Sequence, residues 1–299
     1  MQIAGIDVVP LVGFPLEWAA LALLVAGAIY WERAALSGIG IEGCVLSAML
    51  GLCLGYEWTG DYAIAAASGI GGAIAFALVT SSLLLTLRAD PAVGSFFLSL
   101  IPACALGLFA HATPLRLLHE TPPPWLISGT IFDGTYAEDI VLNPWFLAAP
   151  VALVLAAFVM LNTPYGLRLR AYSETPALAR RGRGQVAWYR VSGAVLGALW
   201  AAPAAAILIR WHPASPPLGL GYLALACAIA SRWGFFPAIL LAAGPALLRS
   251  LRPYAGDGAD GIALNAAPFV LALIYLVLGS RRALRAAVSR QARLDPDVL

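Results

Sequence analysis

Apolar residues along this chain are gathered into long runs that are separated by short polar stretches. The runs are roughly 17 to 25 residues long, the length that a helix needs to cross about 30 Å of hydrocarbon. The pattern therefore predicts an all-α fold, a polytopic transmembrane helical bundle with about eight apolar segments. Their approximate ranges are 16–31, 36–55, 62–87, 91–110, 143–161, 191–209, a double segment at 219–249, and 264–280.

Composition narrows the classes of function that are open to the chain. Hydrophobic residues make up 61% of the 299 residues and charged residues 11%, so we expect movement across a bilayer, signalling through it or chemistry within it. All 18 basic residues are Arg, and the chain contains no Lys. A Gly-rich nucleotide-binding loop needs a Lys to reach the phosphates. We therefore expect no ATPase site and no cofactor in this chain.

The distribution of the arginines predicts an orientation in the membrane. Thirteen of the 18 lie at Arg33, at Arg88, in the polar stretch around 163–190 and in the tail after residue 280. Cytoplasmic segments carry an excess of basic residues. The N-terminus is therefore predicted to lie outside and the C-terminus in the cytoplasm.

The double segment at 219–249 must then enter and leave the membrane on the same side. It is too long for one span and short for two, and residues 231–234 interrupt it with Ser-Arg-Trp-Gly. We expect two short helices that meet at a turn, as a tight hairpin or a re-entrant loop. Such backbone is tolerated at membrane depth only beside protein or a water-filled cavity, so Tyr222, Arg232 and Trp233 are predicted to border a pathway. Alternatively, Trp233 anchors the chain at the interface.

The second apolar segment is also interrupted near its start, where residues 38–43 read Gly-Ile-Gly-Ile-Glu-Gly. Broken segments in both halves of a transporter point to a site between inverted repeats. The pathway residues predicted here are Gly38, Gly40, Glu42 and Gly43. Glu42 is expected to be the only carboxylate clearly inside a span, where acids are costly and by default functional. It could contact substrate, hold the broken helix by accepting backbone N–H bonds, or pair with Arg33 at the interface.

Three stretches resemble signatures of a known family. Residues 32–43 look like E-R-S-G-x-x-N-x-G-x-E-G of ABC-importer permeases of the nucleoside/purine type, which are related to ribose and branched-chain amino acid permeases. Residues 163–177, with Ser-Gly-Ala at 192–194, are similar to T-x-x-G-L-R-L-R-A-x-G-E-N-P-x-A … S-G-A, and residues 221–233 are similar to G-x-I-A-L-A-A-V-I-F-G-R-W. The chain departs from these signatures at Gly38, Ser173 and Thr175, which stand in place of Asn, Gly and Asn.

The resemblance implies the membrane subunit of an ATP-driven importer in a bacterial inner membrane. In the family, the loop that corresponds to 163–190 is cytoplasmic, and its short helix docks on a separate ATPase that binds ATP and Mg. Here that helix is expected to begin near Ser173 or Thr175, with Pro176 in its first turn. An ordinary basic cytoplasmic loop is the alternative. The predicted coupling residues are Arg168, Arg170, Ser173, Glu174, Thr175, Pro176, Arg180 and Arg181.

The resemblance also implies further partners. These are a binding protein that delivers a nucleoside or a related heterocycle, and a second permease subunit that makes a heterodimer, with a homodimer as the alternative. Membrane lipid is expected as a partner and nucleic acid is not. Outer arginines could pair with carboxylates of the binding protein or be solvated flanking charges; they are Arg116, Arg210, Arg249 and Arg252. We take 1–280 as one permease domain and 281–299 as a basic cytoplasmic tail.

Other functions remain open from the residues alone. The solute could be a monosaccharide or an amino acid. An ion-coupled secondary transporter would need several intramembrane acids, and a membrane-embedded enzyme would need paired acids or His and Asp at membrane depth. The three histidines have no metal-ligand spacing, so no metal site is predicted. The four cysteines lie inside apolar runs and are expected to be small buried residues.

Overall fold

A computed structural model of the chain describes residues 2–3, 6–7, 9–112, 144–174, 183–211, 218–251 and 262–277. Near the N-terminus, β1 (Gln2–Ile3) pairs antiparallel with β2 (Ile6–Asp7), and the rest of the regular structure is helical. The helices are α1 (Val9–Arg33), α2 (Gly40–Thr59), α3 (Tyr62–Leu87), α4 (Pro91–Ala112), α5 (Pro144–Asn162), α6 (Pro164–Glu174), α7 (Arg183–Trp211), α8 (Leu220–Ala230), α9 (Phe235–Leu241), α10 (Ala243–Ser250) and α11 (Ile262–Val277). The predicted tail at 281–299 lies outside the described residues.

Within the described part of the chain, six helices are long and apolar enough to cross a membrane, namely α1, α2, α3, α4, α5 and α7. Shorter apolar helices follow at α8, at α9 with α10, and at α11. The predicted all-α polytopic bundle is confirmed. Three helix starts differ from prediction by four residues or more: α1 begins at Val9 rather than near 16, α2 at Gly40 rather than near 36, and α7 at Arg183 rather than near 191.

The centre of the bundle is formed by α1, α2 and α7, whose apolar windows are mostly buried. Trp31 and Tyr30 of α1 are among the largest fully buried side chains. By contrast, less than a third of the apolar window is buried in each of α3, α4 and α5. These helices expose side chains such as Phe97 and Phe158. Exposed apolar side chains on peripheral helices are typical of surfaces that meet lipid or another membrane subunit.

Glycines let the central helices approach closely. A Cβ added at Gly27 of α1 would lie 2.8 Å from the carbonyl oxygen of Gly197 in α7, and one added at Gly197 would lie 2.9 Å from the oxygen of Gly27. Between α2 and α3, Ser68 Oγ donates a hydrogen bond to the carbonyl of Gly51 at 2.8 Å. Small residues at helix contacts allow this backbone approach.

The predicted break in the double segment is present. α8 ends at Ala230, and the chain turns through Arg232 and Trp233, which have φ of 57° and 64°. The N–H of Trp233 donates to the carbonyl of Ala228 at 2.9 Å, which closes the end of α8. The second half differs from prediction in being two helices, α9 and α10, which join at Ala242.

The helix of the polar loop lies earlier than predicted. α6 runs over Pro164–Glu174, so Ser173 lies near its C-terminal end instead of capping a helix that begins there. Ser173 Oγ donates to the carbonyl of Arg170 at 2.8 Å, a bond within the same helix. Pro164 suits the first helical turn, where its missing N–H leaves no donor unpaired. The alternative start near Thr175 lies outside the described residues.

Candidate functional site

Glu42 holds the start of α8. It lies in the first turn of α2, is 3% exposed, and its two carboxylate oxygens accept hydrogen bonds from the backbone N–H groups of Gly219 at 2.7 Å and Gly221 at 2.5 Å. These are N–H groups that a helix N-terminus leaves unpaired. The sequence left three roles open for Glu42. In the structure, its carboxylate accepts backbone N–H bonds of a broken helix.

The two glycines allow this carboxylate to reach the backbone. Gly219 has φ of 89°, a left-handed conformation that favours glycine. A Cβ added at Gly221 would lie 2.6 Å from the backbone N of Glu42 and 2.8 Å from its Oε2. A negative charge at a helix N-terminus is favourable, and each hydrogen bond to a charged group contributes about 1.5–3 kcal/mol. The contact therefore fixes α8 against α2.

A second carboxylate holds the other end of the segment. Glu17 of α1 is 1% exposed and its Oε2 accepts a hydrogen bond from Nε of Arg249 in α10 at 3.0 Å. The expectation that Glu42 is the only carboxylate inside a span is wrong, because Glu17 lies in α1 within the apolar core. The neighbouring Trp18 donates from its indole nitrogen to the carbonyl of Ile239 in α9 at 2.9 Å. A charge inside the first apolar run was the sequence signal for this site.

The other glycines of the predicted pathway have packing roles in the described structure. Gly40 faces the ring of Trp31, and Gly43 faces the ring of Phe76, with no space for a Cβ at either position. The N–H of Gly38 donates to Glu32 Oε1 at 2.9 Å. The interruption at 38–43 thus lets α2 begin close to α1.

Tyr222 lies directly after the capped Gly221, and its ring approaches Phe96 of α4 with centroids 6.3 Å apart. At the far end of α8, the side chain of Arg232 is exposed, and that of Trp233 is partly buried against the core. The structure therefore brings Tyr222 and Glu42 together and leaves Arg232 and Trp233 at the turn.

An aromatic cluster that the sequence did not reveal surrounds the predicted coupling residues. Tyr189 of α7 contacts the rings of Tyr165, Tyr172 and Trp188 with centroids 5.1–5.5 Å apart. Arg168 Nη1 donates to the hydroxyl of Tyr189 at 3.1 Å, and this bond raises the pKa of Arg168. α6 is therefore fastened to α7. The aromatic residues of this cluster come from two helices and do not share one helical face. The hydrophobic periodicity of the sequence therefore gave no indication that they meet.

The remaining predicted residues have little or no described geometry. Arg170 Nη2 lies 3.5 Å from the carbonyl of Leu161, to which it donates. The backbones of Glu174 and Arg210 belong to α6 and α7, but their side chains are outside the described set. The residues wholly outside it are Arg116, Thr175, Pro176, Arg180, Arg181 and Arg252.

Three of the four cysteines are buried, and one is exposed. Cys44, Cys53 and Cys227 are buried as expected, whereas Cys104 is exposed on α4, so the expectation for it was wrong. Its helix lies at the periphery, where an apolar run has an outward face. Among the residues that the structure describes, no group of three or more His, Cys, Asp or Glu side chains is arranged to hold a metal ion.

Two curated proteins are similar to almost the whole chain. The chain is 29% identical over 274 residues to the nucleoside ABC transporter permease protein NupC of Lactococcus lactis subsp. cremoris. The alignment covers 84% of this chain and 86% of that protein. The chain is 24% identical over 290 residues to the guanosine ABC transporter permease protein NupQ of Bacillus subtilis, which covers 86% of this chain and 88% of that protein. The chain is therefore similar over most of its length to ABC-transporter permeases.

A third relative is named for a different solute. The chain is 26% identical over 237 residues to the putative glucose ABC transporter permease protein TsgC13 of Haloferax volcanii. The alignment covers 72% of this chain and 68% of that protein. No protein-family model matches the chain, and no solved structure matches it significantly. The relatives confirm the resemblance of the three sequence stretches to nucleoside-type ABC permeases. Together with the apolar helices, they also confirm the multi-pass membrane location.

Proposed function

We propose that this permease carries nucleosides, or closely related heterocycles, into the cell as one subunit of an ATP-driven importer. The observation that carries the proposal is similarity across more than four-fifths of the chain to two permeases whose names state nucleoside and guanosine transport. The three matching stretches include residues 38–43 and 221–233, which meet in the structure at the Glu42 cap.

The other subunits supply what this chain lacks. An ATP-binding cassette ATPase binds ATP and Mg and hydrolyses the ATP, and a substrate-binding protein delivers the solute. A second permease completes the pathway, as a heterodimer in our proposal, with a homodimer as the alternative. Residues 1–280 act as one permease domain, and 281–299 form its cytoplasmic tail.

The ATPase docks on the surface formed by α6 and the start of α7. Arg168, Leu167 and Trp188 are exposed there, while the tyrosine cluster beneath them holds the two helices together. A docking surface must be firm to transmit force between subunits, and packed aromatic rings provide that firmness. The proposed coupling residues are those predicted from the sequence, namely Arg168, Arg170, Ser173, Glu174, Thr175, Pro176, Arg180 and Arg181.

The solute passes beside α2 and α8. Glu42 and Tyr222 adjoin there, and the α8 helix begins inside the protein instead of at its edge. Glu42 acts as a positioning residue in this proposal, because its carboxylate oxygens are engaged with Gly219 and Gly221. Gly38 and Gly40 let α2 begin close to α1, and Gly43 lets α2 approach Phe76 of α3. Arg232 and Trp233 end the pathway-lining segment.

The orientation is the one predicted from the arginines, with the N-terminus outside and the C-terminus in the cytoplasm. Arg116, Arg210 and Arg252 then face the binding protein. Arg249 has an internal partner in Glu17 and its side chain is 10% exposed, so a docking role for it would require this ion pair to open. In the structure, Arg249 holds α10 against α1 through this ion pair.

Uptake by a deletion strain tests the proposal. Loss of the gene in its host should abolish high-affinity uptake of radiolabelled guanosine and uridine, and a plasmid copy should restore it. Affinity purification of the tagged permease in mild detergent should recover an ATPase and a second permease. Unchanged nucleoside uptake in the deletion strain, with no other nucleoside importer present, would contradict the proposal.

A monosaccharide is the second candidate solute, and the relative from Haloferax volcanii favours it. Both nucleosides and sugars present hydroxyl groups, but only a nucleoside carries a planar heteroaromatic ring. Radiolabelled glucose should therefore be measured in the same deletion strain. Loss of glucose uptake with intact guanosine uptake would replace the first candidate with the second.

A further inference from the structure

Phe96 of α4 and Tyr222 of α8 form an aromatic pair beside the Glu42 cap. Their ring centroids are 6.3 Å apart and the ring planes are inclined by 37°. Tyr222 follows Gly221, whose N–H is held by Glu42, so the cap fixes the backbone from which this ring projects. Phe96 is 42% exposed and Tyr222 is half-buried. The pair therefore lies at an open edge of the bundle.

Hydroxyl groups accompany the two rings. A side-chain hydrogen bond joins Tyr222 to Ser99, and Ser99 Oγ donates to the carbonyl of Phe96 at 2.7 Å. Ser95 lies one turn before Ser99 on the same face of α4. Its side chain is fully buried, and its Oγ has no hydrogen-bond partner in the described part of the chain. A buried hydroxyl without a partner is costly, and a polar atom of a ligand would remove that cost.

This edge differs from the rest of the outer surface of α4. Phe97, Leu100 and Ile101 are exposed apolar side chains, which suit contact with hydrocarbon. At the Phe96 edge, a carboxylate in the first turn of α2 and two serines of α4 lie in helices long enough to span the membrane, and the N-terminus of the shorter helix α8 joins them. Polar groups at that depth face protein or an aqueous path instead of lipid.

We propose that Phe96, Tyr222 and Ser95 form the subsite of this permease for the planar heteroaromatic ring of its solute. The inference deepens the proposed function and rests on it. Every nucleobase has a π-face that stacks on aromatic side chains, and serine hydroxyls both donate and accept hydrogen bonds, as ring nitrogens and exocyclic groups require. A free sugar has no planar aromatic ring and cannot make this π-stacking contact.

Transport by three variants tests the subsite. In cells that carry the complete importer, Phe96→Leu should lower the rate of guanosine uptake about tenfold, the effect of losing one base–aromatic contact. Ser95→Ala should lower it less. Phe158→Leu, the same change at a side chain that is 54% exposed on α5, should leave it unchanged. Immunoblots of membranes show whether each variant is present at the wild-type level.

Cysteine labelling provides a second measurement that does not depend on transport. Tyr222→Cys and Phe96→Cys are made after the native cysteines, of which Cys104 is exposed, have been replaced. A charged, membrane-impermeant thiol reagent should label both positions in the assembled importer, and guanosine should slow the labelling. Phe158→Cys should not be labelled, because charged reagents do not enter hydrocarbon.

The outcomes separate the subsite from the proposed function. Nucleoside uptake by the wild type together with normal uptake by Phe96→Leu would overturn the subsite alone. So would labelling that guanosine does not slow, or no labelling at residues 96 and 222. Absence of nucleoside uptake by the wild-type importer would overturn the proposed function itself.

Discussion

Glu17 and Arg249 form a buried ion pair that joins α1 to α10 across 232 residues of sequence, with Arg249 Nε 3.0 Å from Glu17 Oε2. Glu42 meanwhile binds the first residues of α8. The segment from residue 219 to residue 250 is thus held at its start by one carboxylate and near its end by another. Because both acids belong to the N-terminal helices, the N-terminal part of the permease fixes the position of the interrupted segment.

Removing one partner of the Glu17–Arg249 pair should destabilise the permease. An unpaired charge that stays buried costs about 3–5 kcal/mol, so Glu17→Gln and Arg249→Gln should each lower the melting temperature of the detergent-solubilised importer. The double variant should be less damaging than the sum of the two, because neither charge is left alone. Additive losses would show that the two side chains do not interact.

Replacing Glu42 should release α8. Glu42→Ala removes both acceptors and leaves the N–H groups of Gly219 and Gly221 unpaired, a loss of about 3 kcal/mol or more. Transport should fall to background while the protein still enters the membrane. Glu42→Gln retains one carbonyl acceptor and should keep part of the activity. Full activity of Glu42→Ala would contradict the positioning role of this carboxylate.

Adding one methyl group at the contact of α1 and α7 should separate these helices. In Gly197→Ala, the new Cβ would lie 2.9 Å from the oxygen of Gly27 and close to the indole of Trp31. We expect a lower melting temperature and less protein in the membrane. Gly71→Ala on α3 is the matched control, because a Cβ there meets nothing within 4 Å. Equal behaviour of the two variants would exclude tight packing at Gly197.

Coupling to the ATPase should depend on the end of α6. Glu174→Ala should weaken the stimulation of ATP hydrolysis by substrate-loaded binding protein, since that residue ends the helix that we place against the ATPase. Membrane insertion should be normal. Thr86→Ala, near the end of α3, should retain full stimulation. Normal stimulation in Glu174→Ala would count against the assignment of this loop.

The sequence was sufficient for features that depend on local pattern. Hydrophobic runs indicated the long helices, and a Ser-Arg-Trp-Gly interruption indicated the turn at 231–234. Long-range pairing was missed, because nothing near Glu17 in sequence indicates Arg249 as its partner. The tyrosine cluster at Tyr189 was missed for the same reason, since its rings come from two helices.

Errors at single positions also have physical causes. Ser173 was expected to cap a helix because serine is common at N-caps, but the helix that begins at Pro164 already includes it. Cys104 was expected to be buried because it lies inside an apolar run. On a peripheral membrane helix, however, an apolar side chain is equally suited to the outer face.

The turn at Arg232 should be reachable from water. A charged side chain at bilayer depth is costly unless it reaches water, carbonyls or the interface, and Arg232 is exposed in the described structure. We therefore predict that Arg232→Cys, with the native cysteines replaced, is labelled by an impermeant thiol reagent from the cytoplasmic side of inverted vesicles. Phe236→Cys, on an apolar side chain that is 63% exposed, should stay unlabelled. Labelling only from the outside, or reporter fusions that put residues 210 and 255 on opposite sides, would refute both the turn's orientation and the same-side entry and exit of this segment.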